Sequence, residues 1–405
     1  MQSWNAPEVP TIEGQGIVPR VHDTASGGVR ELSGVGGRVG LYVCGITPYD
    51  STHLGHAATY VAFDTLNRAW RDAGLEVTYV QNVTDIDDPL LERASDTGVD
   101  WRELASSEIA KFRGDMAGLR VIPPAHYVSV VDSVDLVVTA VSEMLRTGSA
   151  YVVGDDVYAD LAADTLVGSI SHLEEAEMDT LFAERGGDPA TPGKRHPRDP
   201  LLWRGRREGE PTWPGGDLGE GRPGWHIECA AIARANLEIP MTVQGGGYDL
   251  VYPHHEMSTS HLREVTGRQH PAEAFVHTGL VGYQGHKMSK SRGNLVFVSQ
   301  LAADGIPADV VRLVLLAQHY RTDWEYSSPQ LGAAARRWQR WLDAAHLAGD
   351  ADESATIADL RAAIADDLNT PAAVAIVDAW AARPGRGRSV IAAVSALLGV
   401  EIGRS

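Results

Sequence analysis

Two residue types are scarce enough in this sequence to be informative. Only two cysteines occur, Cys44 and Cys229. That excludes a secreted scaffold held by several disulfides, and in a reducing compartment a metal or catalytic role competes with two inert buried thiols. Lysine is nearly as rare: 31 of the 35 basic residues are arginine, leaving Lys111, Lys194, Lys287 and Lys290. Acids outnumber bases, giving a net charge of −19 and a pI near 5.2. This disfavours a broad, non-specific grip on nucleic acid, but not a local basic patch. No apolar run approaches the ~20 residues of a membrane span, and the polar opening MQSWNAPEVP has no signal-peptide core. A cytoplasmic protein with no membrane partner is the expectation. At 405 residues, 43% hydrophobic and 22% charged, the chain is long enough for two or three domains.

The rest is organised around LYVCGITPYDSTHLGHA, Leu41 to Ala57. Leu41-Tyr42-Val43 reads as a buried strand. The pattern breaks at Gly45 and Pro48 and resumes at Gly55 as an Ala-rich helix through about Asp72. A strand feeding a helix through a glycine turn presents backbone N–H groups and a positive dipole end. His53 and His56 flank Gly55, and Cys44 ends the strand. Together they suggest a nucleotide site beside a second small-molecule site. A glycine turn with incidental histidines is the plainer alternative.

Six segments follow from composition. Residues 1–36, rich in Gly, Pro and short polar residues, form a lead-in with no role beyond surface packing. Residues 37–124 alternate in the α/β manner and include the strand Val77–Val80, which ends in NVTDIDD. Ligands of parallel sheets sit beyond strand carboxyl ends, so Asn82 and Thr84 are candidates to face a nucleotide. At least two of Asp85, Asp87 and Asp88 read as a helix N-terminus. Pro123-Pro124 marks a boundary, and 125–199 reads as a lid-like insertion with a helix, a hairpin and a Gly/Pro-rich tail from Glu184 to Pro200. The α/β pattern returns at Leu201-Leu202-Trp203 and fills 200–285. It includes a helix from Pro223 and a strand, Met241–Gln244, followed by GGGYDLVYPHHE. Consecutive glycines at a strand end permit close backbone approach to a ligand, or simply a flexible turn. Residues 286–325 and a helical 326–405 complete the chain.

Cys44, Cys229 and His254 each sit at the expected carboxyl edge of the sheet. Two thiolates and an imidazole suit zinc, and three protein ligands leave a fourth position for substrate. His255 and Glu256 are available as supporting partners, and Ser258 is a poor ligand. Two of the four lysines fall in GHKMSKSRGN, Gly285 to Asn294. A mobile ammonium loop there can neutralise a departing pyrophosphate.

His53-Leu54-Gly55-His56 resembles the HIGH signature of class I aminoacyl-tRNA synthetases, and Lys287 to Ser291 is their KMSKS signature. YVCGITPYD, NVTDIDD, PGWHIECAA, GGGYDL, PHHE and ADDLNTPAA resemble the cysteinyl-tRNA synthetase branch, in order across about 40–375. Two features depart from that branch. Ser258 stands where its fourth zinc ligand, a glutamate, is expected. The roughly 75 residues after the catalytic body also hold eight arginines, nine acids and no lysine, with no basic stripe for an anticodon arm. Both features, with MQSW and ERGGDP, resemble the mycothiol ligases of actinobacteria.

This resemblance implies an α/β fold: a class I synthetase Rossmann-like (HUP) catalytic domain with an insertion and a C-terminal helical bundle. It implies a monomeric, AMP-forming ligase that couples L-cysteine to glucosaminyl-inositol through cysteinyl-adenylate, without tRNA. ATP enters with Mg2+ and one zinc holds the substrate thiol on Cys44, Cys229 and His254. His53 and His56 would contact phosphates, and Lys287 and Lys290 would stabilise the departing charge. The adenylate would be held by Cys44, Gly45, Ile46, Thr47, Thr59, Asn82, Val83, Thr84, Trp225, Gly247, Tyr248, Asp249 and Val281. No general base for the second step stands out; Asp249 and His226 are candidates. A true cysteinyl-tRNA synthetase and a non-catalytic cysteine or adenylate sensor remain open as rival readings.

Overall fold

The computed structural model describes residues 1–288 and 293–403. The lead-in is more than surface packing. It contains a hairpin, β1 (Arg20–Asp23) and β2 (Gly28–Glu31), and buries Trp4, Val21 and Leu32 in the main core.

The α/β pattern begins with β3 (Arg38–Val43), α1 (Leu54–Asp72) and β4 (Glu76–Val83). Next come α2 (Asp88–Thr97), capped by Asp87, and α3 (Trp101–Gly118), capped by Asp100. β5 (His126–Ser129) then pairs parallel with β4. The parallel sheet therefore extends past Pro124, where the sequence reading had placed the start of the insertion.

α4 (Val134–Thr147) leads into β6 (Ala150–Val153) and β7 (Asp156–Ala159), the expected hairpin. α5 (Glu175–Glu184) precedes a stretch without helix or strand up to β8 (Leu201–Gly205). β9 (Trp213–Pro214) and β10 (Glu220–Pro223) follow. The structure corrects the reading of Leu201–Trp203 here. β8 runs antiparallel to β7 and β10 in a separate five-stranded sheet ordered β6-β7-β8-β10-β9. A short apolar run carries no mark of parallel or antiparallel pairing, so periodicity could not tell the two apart.

The parallel sheet resumes after α6 (Trp225–Asn236) with β11 (Met241–Gly247), α7 (Glu256–Thr266) and β12 (Ala272–Thr278). Its order is β12-β11-β3-β4-β5, every pair parallel. The chain winds one way from β3 to β5 and the other way from β11 to β12. A crevice therefore opens where β3 meets β11, beyond their carboxyl ends. One face of the sheet is covered by α1 and the C-terminal helices, the other by α4, α6 and α7.

β13 (Val281–Tyr283), β14 (His286–Lys287), α8 (Val298–Ala303), α9 (Ala308–Leu316) and β15 (Trp324–Tyr326) come next. Four helices close the fold: α10 (Ser328–His346), α11 (Ser354–Ala365), α12 (Thr370–Ala382) and α13 (Ser389–Ala393). The segment that follows α13, Val394–Leu398, is joined to α1 and α9 through a buried ionic node. Asp64 accepts from Arg68 Nε at 2.7 Å, from Arg312 and from the Ile122 amide at 2.8 Å. Arg68 also donates to the carbonyls of Ser395 and Ala396 at 3.0 and 3.1 Å, and Arg312 to that of Leu398 at 2.5 Å.

Candidate active site

The floor of the crevice is a sulfur cluster. Cys44 follows β3, Cys229 lies one turn into α6, and His254 comes from the kinked segment Val251–His255 before α7. All three are buried, and their donor atoms lie within 4.8 Å of one another. The two sulfurs are 3.9 Å apart, and His254 Nε2 is 3.2 Å from Cys229 Sγ. Hydrogen bonding from Cys44, followed by the influence of His254, pushes the Cys229 thiol well down, while burial pushes Cys44 up. Two soft sulfurs and one imidazole at this spacing fit zinc.

The supporting residues divide differently from expectation. His226 Nδ1 meets His254 Nδ1 at 3.0 Å, and the Trp225 ring stacks on His254 with centroids 4.5 Å apart. His255 Nε2 reaches Cys44 Sγ at 3.2 Å. Glu256 turns away from the cluster: its Oε1 accepts from the backbone amides of Ile170 and Ser171 at 2.8 and 2.7 Å, tying down the inserted region. Ser258 Oγ accepts from Gln244 at 3.0 Å and takes no part in the cluster.

At the rim, His53 caps α1. Its Nδ1 accepts from the amides of Gly55 at 3.1 Å and His56 at 3.4 Å, so the imidazole already engages part of the first-turn backbone. The two rings stack with centroids 3.8 Å apart. Asn82 Oδ1 receives the Gly45 amide at 2.8 Å and the Tyr42 hydroxyl at 3.2 Å. A Cβ at Gly45 would lie 1.6 Å from the Asn82 carbonyl oxygen, so only glycine lets these strand ends approach. The triple glycine has mixed purposes. Side chains at Gly245 and Gly246 would strike Phe63 and Leu250 respectively, and only Gly247 borders the crevice.

These elements enclose a cavity of about 410 Å³. Among the described residues, every predicted site residue lines it except Val83 and Tyr248. Val83 is packed wholly in the core at the end of β4, and Tyr248 is 58% exposed. Lys290 and the side chain of Lys287 lie outside the described residues. Tyr49, Asp50, Tyr60 and Leu250 also line the cavity. Tyr60 was within reach of sequence reasoning, since it falls one turn after His56 on the same face of α1, and its hydroxyl donates to the Cys44 carbonyl at 3.1 Å. Burial and the nearby Asp50, Asp87 and Asp249 raise the Tyr49 phenol, so an acidic side of the cavity surrounds it. His226 is buried against His254 and does not itself line the cavity.

Comparison with known proteins shows the family. Residues 32–336 match the tRNA synthetases class I (C) catalytic domain. A protein of Beutenbergia cavernae named L-cysteine:1D-myo-inositol 2-amino-2-deoxy-alpha-D-glucopyranoside ligase is 56% identical, aligned over 99% of this chain and 100% of its own length. The chain belongs to this ligase family, within the class I synthetases. The Streptomyces coelicolor ligase of the same name is 52% identical, over 99% of this chain and 100% of its own. Among solved structures, methionyl-tRNA synthetase of Mycobacterium tuberculosis in complex with methionyl-adenylate superimposes with a TM-score of 0.63. It is 16% identical and covers 85% of this chain and 81% of its own, so it supports the shared fold. No helix among the described residues is long and apolar enough to cross a membrane.

Proposed function

We propose that this ligase joins L-cysteine to the amine of glucosaminyl-inositol, using ATP with Mg2+ and passing through cysteinyl-adenylate. The observation that carries the reading is the Cys44–Cys229–His254 cluster at the floor of the cavity whose rim holds the His53–His56 pair. The names of the two ligase relatives supply the substrates. Cys44, Cys229 and His254 would hold zinc. When bound, it supplies a soft Lewis acid that lowers the pKa of a thiol and prefers sulfur to a serine hydroxyl.

The chain's own residues do the remainder. In the first step the cysteine carboxylate attacks the α-phosphorus and the bond to the β-phosphate oxygen breaks, giving adenylate and pyrophosphate. His53 and His56 face the phosphates, and Lys287 and Lys290 meet the charge that leaves. Asn82 and Thr84 line the adenylate's side of the cavity, held by the Asn82-to-Thr84 hydrogen bond at 3.1 Å. In the second step the neutral sugar amine attacks the acyl carbon, AMP departs, and the nitrogen loses a proton. Asp249, at the cavity wall, is the carboxylate suited to receive it. Positioning and charge stabilisation account for most of the acceleration. The enzyme works in the cytoplasm as a monomer in this reading.

The test is AMP release from ATP and cysteine, with glucosaminyl-inositol in one reaction and tRNA in the other. Turnover with the amino sugar alone is expected. Turnover with tRNA alone would replace this reading with that of a tRNA synthetase, and no turnover in either would favour a sensor.

A further inference from the structure

Behind the sulfur cluster, away from the cavity, a line of polar atoms leads back to the N-terminal hairpin. Cys44 Sγ is 3.2 Å from His255 Nε2. His255 Nδ1 is 2.7 Å from His277 Nε2, and His277 Nδ1 is 2.7 Å from Thr24 Oγ1. Both rings are buried, and a 2.7 Å contact between their nitrogens needs an N–H on one side and a lone pair on the other. A neutral imidazole has one N–H and one lone pair, so each ring passes the direction of its hydrogen bond to the next.

We infer that Thr24 is a positioning residue of the sulfur site, its hydroxyl setting the direction of a hydrogen-bond chain that ends on Cys44. The inference rests on the metal-binding reading above. A thiolate at Cys44 must receive an N–H, which fixes the proton of His255 on Nε2. Its Nδ1 must then accept from His277 Nε2–H, leaving His277 Nδ1 as a buried lone pair. The hydroxyl of Thr24 donates to that lone pair. Thr24 is itself held in place: its amide donates to the Phe275 carbonyl at 2.8 Å, and the neighbouring Asp23 accepts from the Phe275 amide at 2.9 Å. The residue lies before position 32, so this contribution comes from outside the matched synthetase region.

The experiment uses the full chain and its Thr24→Val and Thr24→Ser variants. Zinc affinity is measured by competition with a chromophoric chelator, and the sulfur-to-metal charge-transfer band is recorded on the cobalt-loaded forms. Thr24→Val should weaken zinc binding about tenfold, the scale of supporting-residue losses at metal sites. It should also move the band to lower energy, because the sulfur loses part of its hydrogen bond. Thr24→Ser should restore both, with thermal midpoints alike in all three proteins. Wild-type affinity and an unmoved band in Thr24→Val would overturn the inference, as would a serine variant no better than valine. A wild-type chain that takes up no zinc would instead sink the metal-site reading and this inference with it. If Thr24→Val does not fold, Thr24→Ala carries the same comparison.

Discussion

Replacing Asp64 with asparagine removes one negative charge and almost no volume. In the native protein its carboxylate faces two guanidinium groups, and the side chains of Asp64, Arg68 and Arg312 are at most 1% exposed. Breaking a buried pair while leaving its partners in place costs about 3–5 kcal/mol. Two lost charge-assisted hydrogen bonds at about 1.5–3 kcal/mol each give a similar figure. Against a total stability of about 5–15 kcal/mol, that is a large share. Urea unfolding followed by tryptophan fluorescence reads it as a lower midpoint. The control is Asp366→Asn, which breaks the pair with Arg20 at a site where the side chains are 56% and 65% exposed, and should cost under about 1 kcal/mol. The same node predicts an acid response. Burial alone would raise the Asp64 carboxyl, but Arg68, Arg312 and the Ile122 amide outweigh it and hold it below the usual value. A depressed folded-state pKa makes this contribution complete above about pH 4, and it is lost as pH falls through the folded value. Asp64→Asn should lack that component. A variant within 1 kcal/mol of wild type, with an unchanged acid profile, would refute the reasoning.

Cys229→Ser should lose bound zinc and discrimination between cysteine and serine while keeping its far-ultraviolet circular dichroism; retained zinc with normal selectivity would remove Cys229 from the ligand set. Gly45→Ala places a methyl 1.6 Å from a backbone oxygen, so cysteine-dependent pyrophosphate exchange should fall at least a hundredfold; activity within tenfold of wild type would mean the strand ends separate easily. Lys290→Ala should slow adenylate formation far more than it weakens cysteine binding, as read by single-turnover kinetics and calorimetry. Unchanged turnover there would leave the loop without its assigned part.

How far the sequence could be read depended on how local the determining physics was. β3, the glycine turn and α1 follow from periodicity and turn chemistry within about thirty residues, and they came out as expected. The meeting of Cys44, Cys229 and His254 depends on a crossover of 185 residues between the two cysteines, so the residues alone only hinted at it and family resemblance supplied the rest. The pairing of β8 with β7 was hidden because strand partners are chosen by tertiary context. The three glycines left a ligand approach and a flexible turn both open, yet the missing Cβ of Gly245 is explained by the Phe63 ring. The role of Glu256 was misjudged for a related reason: the amides of Ile170 and Ser171 that claim it lie more than eighty residues earlier.

The ionic node around Asp64 also sets a schedule for biosynthesis. Arg68 sits in α1, whereas its carbonyl acceptors at Ser395 and Ala396 are made 327 and 328 residues later. At about 5–20 residues per second, that interval is roughly 16–65 s. Throughout it, the helix that carries His56 holds a guanidinium paired with Asp64 but without its two C-terminal carbonyl acceptors. Until the segment holding Ser395 and Ala396 is made, those two acceptors of the Arg68 guanidinium are missing and the node cannot close around α1.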